Sequence, residues 1–145
     1  MAEPTIRVVP SGERNTDTPQ TPGLLREVAF DSRNPDARVL SGFVSTVQPG
    51  AATAAHHHGD QETLLYVLNG RARFRWGPHL EHATEAGTGD FVFIPAEIIH
   101  QEINASVEES TSWVVVRSAT DPIVVNLPEL AGYAEAPAID YADPE

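Results

Sequence analysis

Apolar and polar positions alternate over short stretches of the chain from Leu24 onward, and turn residues separate these stretches. A period of two is typical of strands with one buried face, and no stretch shows the 3.6-residue period of a long helix. The pattern predicts strands at Leu24–Phe30, Arg38–Val47, Glu62–Leu68, Ala72–Trp76, Asp90–Ile94, His100–Ile103, Ser112–Arg117 and Ile123–Val125. Many short strands at this spacing indicate an antiparallel sandwich or barrel. We therefore predict an all-β fold, and the absence of an internal repeat indicates a single barrel.

Two details of this pattern lead to sharper expectations. Asn69-Gly70 stands between two apolar runs and predicts a tight hairpin, because both positions of such a turn favour positive φ. In the run that follows, Arg71, Arg73 and Arg75 alternate with apolar residues and should share one face of a strand. We interpret this arginine face as solvated, and an interface or an anion-holding rim is the alternative.

The two ends of the chain differ in composition from its middle. Residues 1–22 carry four prolines and many polar residues, and only Ile6–Val9 has the pattern of a short strand. We divide the chain into an N-terminal arm (1–22), a β-barrel domain (23–126) and an acidic C-terminal tail (127–145). The arm is expected either to be disordered or to lie against a partner subunit.

Composition excludes several classes of function. The formal net charge of −12 disfavours binding to nucleic acids and to anionic membranes, and the lack of Cys excludes disulfides and thiolate chemistry. No apolar run approaches the length of a membrane span, and the N-terminus lacks the pattern of a signal peptide. We therefore expect a cytoplasmic protein of 145 residues that acts on a small molecule.

Three adjacent histidines form the candidate site. In an extended chain His56 and His58 point the same way and His57 points to the opposite side. Glu62 follows four residues later, and a further His from another strand would complete a mixed nitrogen and oxygen ligand set. Such a set suits Fe, Mn, Ni, Cu or Zn, and its chemistry does not select among them. A polar surface loop is the alternative interpretation of these histidines.

The spacing of these residues resembles the two motifs of the cupin superfamily. The first motif matches Gly50, His56, His58, Glu62 and Gly70, and the second matches Gly89, Pro95, His100 and Asn104. The resemblance covers about residues 38–118 and implies a double-stranded β-helix, the jelly-roll barrel. It also implies one divalent metal ion per subunit on His56, His58, Glu62 and His100, with Asn104 orienting a turn.

The chain departs from the cupin motifs at two positions. Glu97 stands where the second motif has Gly, so a residue with a Cβ must close that turn, and its side chain can project toward the cavity mouth. Seven residues separate Glu62 from Gly70, where the motif has six, and the usual spacing falls on Thr63. Gln61 and His57 are therefore alternatives to Glu62 as the fourth ligand.

The resemblance implies a metal-dependent enzyme with open coordination positions, of the dioxygenase or the cyclase and isomerase type. Its apolar cavity favours a small, largely apolar or aromatic substrate. Glu62, if it is not a ligand, and Glu97 are the candidate general bases. A non-catalytic small-molecule or metal-binding protein is the alternative. Cupins of this size commonly pair, so we expect a homodimer in which the N-terminal arm can cross over.

Overall fold

The computed structural model describes residues 3–34 and 37–135, and the backbone of 138–139. Two 3₁₀ helices, Ser11–Glu13 and Pro128–Tyr133, accompany the strands, and no helix in the described part of the chain has the length and apolarity needed to span a membrane. The strands are β1 Leu24–Phe30, β2 Ser41–Val47, β3 Ala52–Thr53, β4 His56–His57, β5 Thr63–Asn69, β6 Arg71–Trp76, β7 His82–Gly87, β8 Phe91–Ile94, β9 His100–Asn104, β10 Thr111–Arg117, β11 Val125–Asn126 and β12 Ala138–Ile139.

Five of these strands form one antiparallel sheet in the order β1-β2-β10-β5-β8. Their residues alternate between buried and exposed positions, so one face of the sheet supplies most of the apolar core. The buried apolar residues on this face include Leu24, Val28, Phe43, Val47, Leu65, Val67, Ile94, Trp113 and Val115. This face closes one side of the barrel.

The second sheet carries the candidate site. Strand β9 lies at its centre, and it pairs with β3 and β4 on one side and with β6 on the other. The pairing of β4 with β9 sets His56 directly opposite His100. The two cupin-like motifs therefore meet across a pair of neighbouring strands, although 44 positions separate these histidines in the sequence.

The all-β prediction is confirmed, and eight of the observed strands overlap the predicted ones. The sequence pattern missed four strands, β3, β4, β7 and β12. Strands β3, β4 and β12 have two residues each, which is too short to show a period. Strand β7 is exposed at four of its six positions, so it lacks a regular apolar face and resembles a polar linker.

The hairpin prediction at Asn69-Gly70 is wrong. Strand β5 pairs with β10 and β8, whereas β6 pairs with β7 and β9, so this turn carries the chain from one sheet to the other. Gly70 has the expected positive φ of 86°, but Asn69 does not have a positive φ. A turn signal of this kind reports local backbone geometry, and it does not identify the partner of the strand.

The arginine face of β6 holds neighbouring segments in place. Arg71 and Arg73 both bind Glu85 on β7, and Arg73 also binds Glu135. Arg75 donates to the backbone carbonyls of Leu80 and Tyr133. These contacts tie β7 and the segment after Pro128 to the outside of the second sheet.

The N-terminal segment differs from its prediction. Ile6–Val9 forms no strand, and Ile6 and Val8 are exposed. Further along, Asn15 forms a bridge with Val28, and Gln20 binds the backbone of Arg26, so residues 15–20 pack on the barrel of their own chain. In the tail, residues 136–137 and 140–145 lie outside the described part of the chain, and the division of the chain into arm, barrel and tail stays a prediction.

Candidate metal centre

The three predicted histidines lie together inside the barrel. His56 and His58 come from β4 and its end, and His100 begins β9. All three are buried, and their ring centroids are 4.3–5.1 Å apart. His57, between the first two, is partly exposed on the other side of the strand, as alternation predicts.

Backbone carbonyls fix the orientation of each buried imidazole. The Nδ1 atoms of His56, His58 and His100 donate to Ala54 O at 2.8 Å, Ile123 O at 2.7 Å and Ile98 O at 3.1 Å. A carbonyl oxygen only accepts, so each Nδ1 carries the proton and each Nε2 keeps its lone pair in the neutral ring. This is the arrangement in which hydrogen bonds from Nδ1 orient histidine ligands toward a metal.

Glu102 supplies a carboxylate to the same cluster. Its spacing from His100 is that of His58 from His56, so both residues of β9 point to one face of the strand. Each of the four residues offers a ligand atom, and these atoms all lie within 4.8 Å of one another. His56, His58, His100 and Glu102 can therefore hold one divalent metal ion.

The chemistry of the donor atoms fits a metal. His100 Nε2 is buried and makes no hydrogen bond with the described residues, and it lies 3.7 Å from Glu102 Oε1, which is beyond hydrogen-bonding distance. A buried polar atom without such a bond is costly. A cation shared by imidazole nitrogens and a carboxylate would satisfy it, and this donor set is typical of Mn, Fe, Ni, Cu and Zn sites.

The protonation states also suit metal binding. Burial, together with the nearby His100, lowers the pKa of His56 to about 3. Burial and the Arg117 guanidinium lower the pKa of His58 far below its usual range. Burial disfavours the ionised form of Glu102, but the contact with His100 and the charges around it outweigh this effect and lower its pKa to about 2. At neutral pH the cluster therefore presents neutral imidazoles and a carboxylate.

The structure does not bring Glu62 to this cluster. Strand β5 begins with Thr63 facing inward and Leu64 facing outward, and Glu62, one position earlier, is exposed. The chain has one more residue between Glu62 and Gly70 than the cupin motif has, so Thr63 and not Glu62 takes the inward position. Thr63 Oγ1 accepts a bond from Arg117 Nε at 3.1 Å, and Glu102 takes the place expected for Glu62.

The two alternatives to Glu62 make other contacts. Gln61 is buried, but its amide donates to Asp121 O at 3.0 Å and accepts from Ile123 N at 2.9 Å. His57 Nδ1 accepts from the backbone N–H of Gly59 at 3.0 Å. Both residues therefore support the loop around the cluster, and sequence reasoning missed Glu102, which the His-x-Glu spacing in β9 could have indicated.

Glu97 closes the turn before His100, at the position where the second cupin motif has Gly. Its φ is 65°, in the left-handed region, and its backbone N–H donates to Gly59 O at 2.7 Å. The side chain is exposed, like that of Glu62. Asn104 does not enter the cluster; its amide donates to the carbonyls of Val47, Gln48 and Glu109, as expected for a residue that orients a turn.

An apolar pocket of about 280 Å³ reaches the cluster through His100. The remaining residues around it are Phe74, Trp76, Thr84, Val92, Phe93, Ile94, Pro95 and Ile98. His82 stacks on Trp76 with the ring centroids 5.4 Å apart. Neither Glu62 nor Glu97 lines this pocket, so their assignment as general bases stays a prediction.

Comparisons with known proteins agree with this geometry. The family model described as "Cupin domain" matches residues 43–117, just over half of the chain. A search of curated protein sequences finds no match. Among solved structures, oxalate decarboxylase from Bacillus subtilis at pH 4.6 is similar with a TM-score of 0.66 and 23% identity, over 77% of this chain and 29% of that chain.

Two further structures of the same decarboxylase are also similar to this chain. A variant of it with one tryptophan replaced by tyrosine is similar with a TM-score of 0.66 and 20% identity, over 77% of this chain and 30% of the other. Another, with a TM-score of 0.65 and 23% identity over 76% of this chain and 29% of the other, comes from work on the Mn(II) centres of that protein. This chain spans less than a third of these proteins, and the likeness shows the fold.

Proposed function

Because the chain belongs to the cupin family, we propose that it is a metal-dependent enzyme acting on a small, largely apolar or aromatic organic substrate. One observation carries the proposal: His100 both belongs to the metal cluster and lines the apolar pocket. A molecule in this pocket would therefore lie against a metal ligand. A site with only a structural role needs no such access.

The residues of the cluster would hold the metal, and the surrounding protein would place the substrate. A divalent cation on His56, His58, His100 and Glu102 supplies Lewis-acid chemistry, or dioxygen chemistry if it is redox-active. The backbone carbonyls that bind the three Nδ1 atoms keep the rings in place. The apolar walls of the pocket would shield a bound substrate from water, which would strengthen its electrostatic interactions.

In this proposal the identity of the bound metal determines the type of reaction. Iron, copper or manganese would favour a dioxygenase, and zinc would favour a cyclase or isomerase. Manganese is included because work on the similar Bacillus subtilis oxalate decarboxylase concerns Mn(II) centres. A cyclase or isomerase needs a base, and Glu97 and Glu62 are the residues to test in that case.

Filling the apolar pocket tests the proposal. Protein reconstituted with Mn, Fe or Zn is incubated with a panel of small aromatic and enolisable compounds, and oxygen uptake and products are followed in air and under argon. The Ile98→Trp variant should lose turnover by about tenfold or more while it keeps its metal. Val107→Trp, on an exposed loop, is the matched control. Turnover that survives both metal removal and Ile98→Trp would contradict the proposal, and metal binding without turnover would favour the non-catalytic binding protein.

A further inference from the structure

Gln61 is a buried residue three positions after His58, and both ends of its side-chain amide bind one short backbone segment. Its Nε2 donates to Asp121 O at 3.0 Å, and its Oε1 accepts from Ile123 N at 2.9 Å. The carbonyl of Ile123 in turn accepts from His58 Nδ1 at 2.7 Å. We propose that Gln61 is a positioning residue of the metal centre, which sets the direction of the His58 ligand by holding Ile123 in place.

His58 is the one ligand of the three histidines whose backbone support is not local. The carbonyls that accept from the other two imidazoles belong to residues two positions earlier in the chain. The carbonyl that accepts from His58 belongs to Ile123, 65 positions later. The local backbone that places the first two acceptors cannot place this one. A separate contact has to hold it, and Gln61 supplies that contact.

The segment 121–123 has few other hydrogen bonds. Within the described part of the chain, these three residues form hydrogen bonds only with Gln61 and His58. The chain is anchored before them by the bond from Ser32 N to Thr120 O, and after them by the pairing of β11 with β4. Two of the three residues are exposed to solvent. Without Gln61, their backbone groups would therefore turn toward water.

Pro122 helps to transmit the position of Gln61 to the metal ligand. It stands between the two backbone groups that Gln61 binds, and its ring restricts φ. Hydrogen bonds on both sides of such a residue leave the next peptide group little freedom to rotate. The carbonyl of Ile123 is thus aimed at His58 before a metal binds, and a pre-oriented ligand binds a metal more tightly.

This support lies outside the part of the chain that the family comparison covers. The cupin match ends at residue 117, whereas all four residues of the metal cluster lie within it. The segment that orients His58 therefore comes from the region after the matched domain. The inference rests on the metal cluster that the proposed function uses, and its test requires no turnover.

The Gln61→Met variant tests the inference, because methionine keeps the length of the side chain and loses both hydrogen bonds. Its affinity for Zn²⁺, measured by competition with a chelator, should fall by about tenfold. The visible absorption of the Co²⁺-saturated protein should also change, since it depends on ligand geometry. Gln20→Met is the matched control, because Gln20 binds the backbone N–H and carbonyl of Arg26 in the same two-ended way. This control should leave both measurements unchanged.

Gln61→Glu is the second variant, and it decides the question if Gln61→Met does not fold. It keeps an oxygen for Ile123 N and sets a second acceptor against Asp121 O, so it should also weaken Zn²⁺ binding. If Gln61 were itself a ligand, the added charge would tighten binding instead. Tighter binding by Gln61→Glu, or an unchanged Co²⁺ spectrum in Gln61→Met, would overturn the inference.

The wild type measured beside these variants separates the two possible failures. A wild type that binds Zn²⁺, with variants that bind it equally well, would overturn the role of Gln61 and leave the metal centre standing. A wild type that binds neither Zn²⁺ nor Co²⁺ would overturn the metal centre, and with it both the proposed function and this inference.

Discussion

At the scale of single residues, side-chain direction decides which groups meet. Glu102 enters the cluster because it stands two positions after His100, and Glu62 stays outside because β5 starts one position later. The carbonyl contacts of the three Nδ1 atoms then set the direction of the imidazole lone pairs. The register of a strand thus decides whether a carboxylate points into the cluster or toward solvent.

The left-handed conformation of Glu97 leads to a stability prediction. A residue with a Cβ is strained at a φ of 65°, so Glu97→Gly should raise the free energy of unfolding by about 0.5–1 kcal/mol. Urea denaturation measures this change. Glu97→Ala removes the same carboxylate and keeps the strain, so a similar gain in that variant would show that strain is not the cause.

The buried histidines predict acid sensitivity of the metal-free protein. The pKa of His56 is about 3 in the folded protein, against 6.5 in the unfolded chain, so between these values the unfolded state binds more protons. Stability should therefore fall as the pH drops from about 6.5 toward 3, by up to about 1.4 kcal/mol per pH unit for each such histidine. Thermal melts of chelator-treated protein across this range test it.

His56→Phe should flatten this pH dependence, because the variant lacks one group that takes up a proton on unfolding. His79→Phe is the control, since its side chain is 60% exposed. If the stability of the wild type and of His56→Phe depended equally on pH, this would count against a buried, neutral His56 in the folded protein.

At the scale of elements, the sequence predicted the long strands well and the connections poorly. β1 begins and ends at the predicted residues, because Leu24–Phe30 alternates and turn residues flank it. The sequence pattern did not predict β7, because most residues of this strand are exposed. It also did not predict that the chain passes from one sheet to the other at Asn69-Gly70, because strand pairing is a long-range property. In the site, the three histidines followed from the motifs, whereas the carboxylate depended on strand register.

Gly70 lies in the turn that carries the chain from one sheet to the other, and Gly70→Ala should strongly lower the free energy of unfolding. Gly70 has a φ of 86°, and a Cβ there would lie 2.7–2.9 Å from atoms of Thr111. The variant should lose about 2 kcal/mol or more of its free energy of unfolding. Gly89→Ala is the matched control, because Gly89 has a φ of 90° and open space around it.

The Gly89 control should lose only about 1 kcal/mol, the cost of backbone strain alone. Chemical denaturation of both variants measures the difference. Equal losses of unfolding free energy in the two variants would mean that the chain adjusts around Thr111 without cost and that the turn at Gly70 is not tightly packed.

At the scale of the whole molecule, the outer face of the five-stranded sheet is unusually apolar. Leu64, Tyr66 and Leu68 point outward from β5, and Phe91 and Phe93, which are 68% and 57% exposed, lie beside them on β8. Strand β8 is at the end of this sheet, so a second copy can both cover the patch and extend the sheet. We propose that this face forms a homodimer, and that the N-terminal arm is not required for it.

The dimer proposal predicts a mass twice the 15.7 kDa of the chain by light scattering. A double substitution, Phe91→Lys and Phe93→Lys, should give a monomer, because it places charges at the centre of the patch. Val107→Lys, at an exposed loop position, should leave the dimer intact. A monomeric wild type, or a dimer that survives the double substitution, would contradict the proposal.

We expect His56, His58, His100 and Glu102 to hold one divalent metal ion. Elemental analysis of untagged protein, with metal affinity measured by competition with a chelator, tests this claim through the Glu102→Gln and Glu62→Gln variants. The wild type should contain about one equivalent of metal, Glu102→Gln should lose about tenfold or more in metal affinity, and Glu62→Gln should show no change. Weakened binding in Glu62→Gln with Glu102→Gln unaffected, or a wild type that binds no metal, would contradict it.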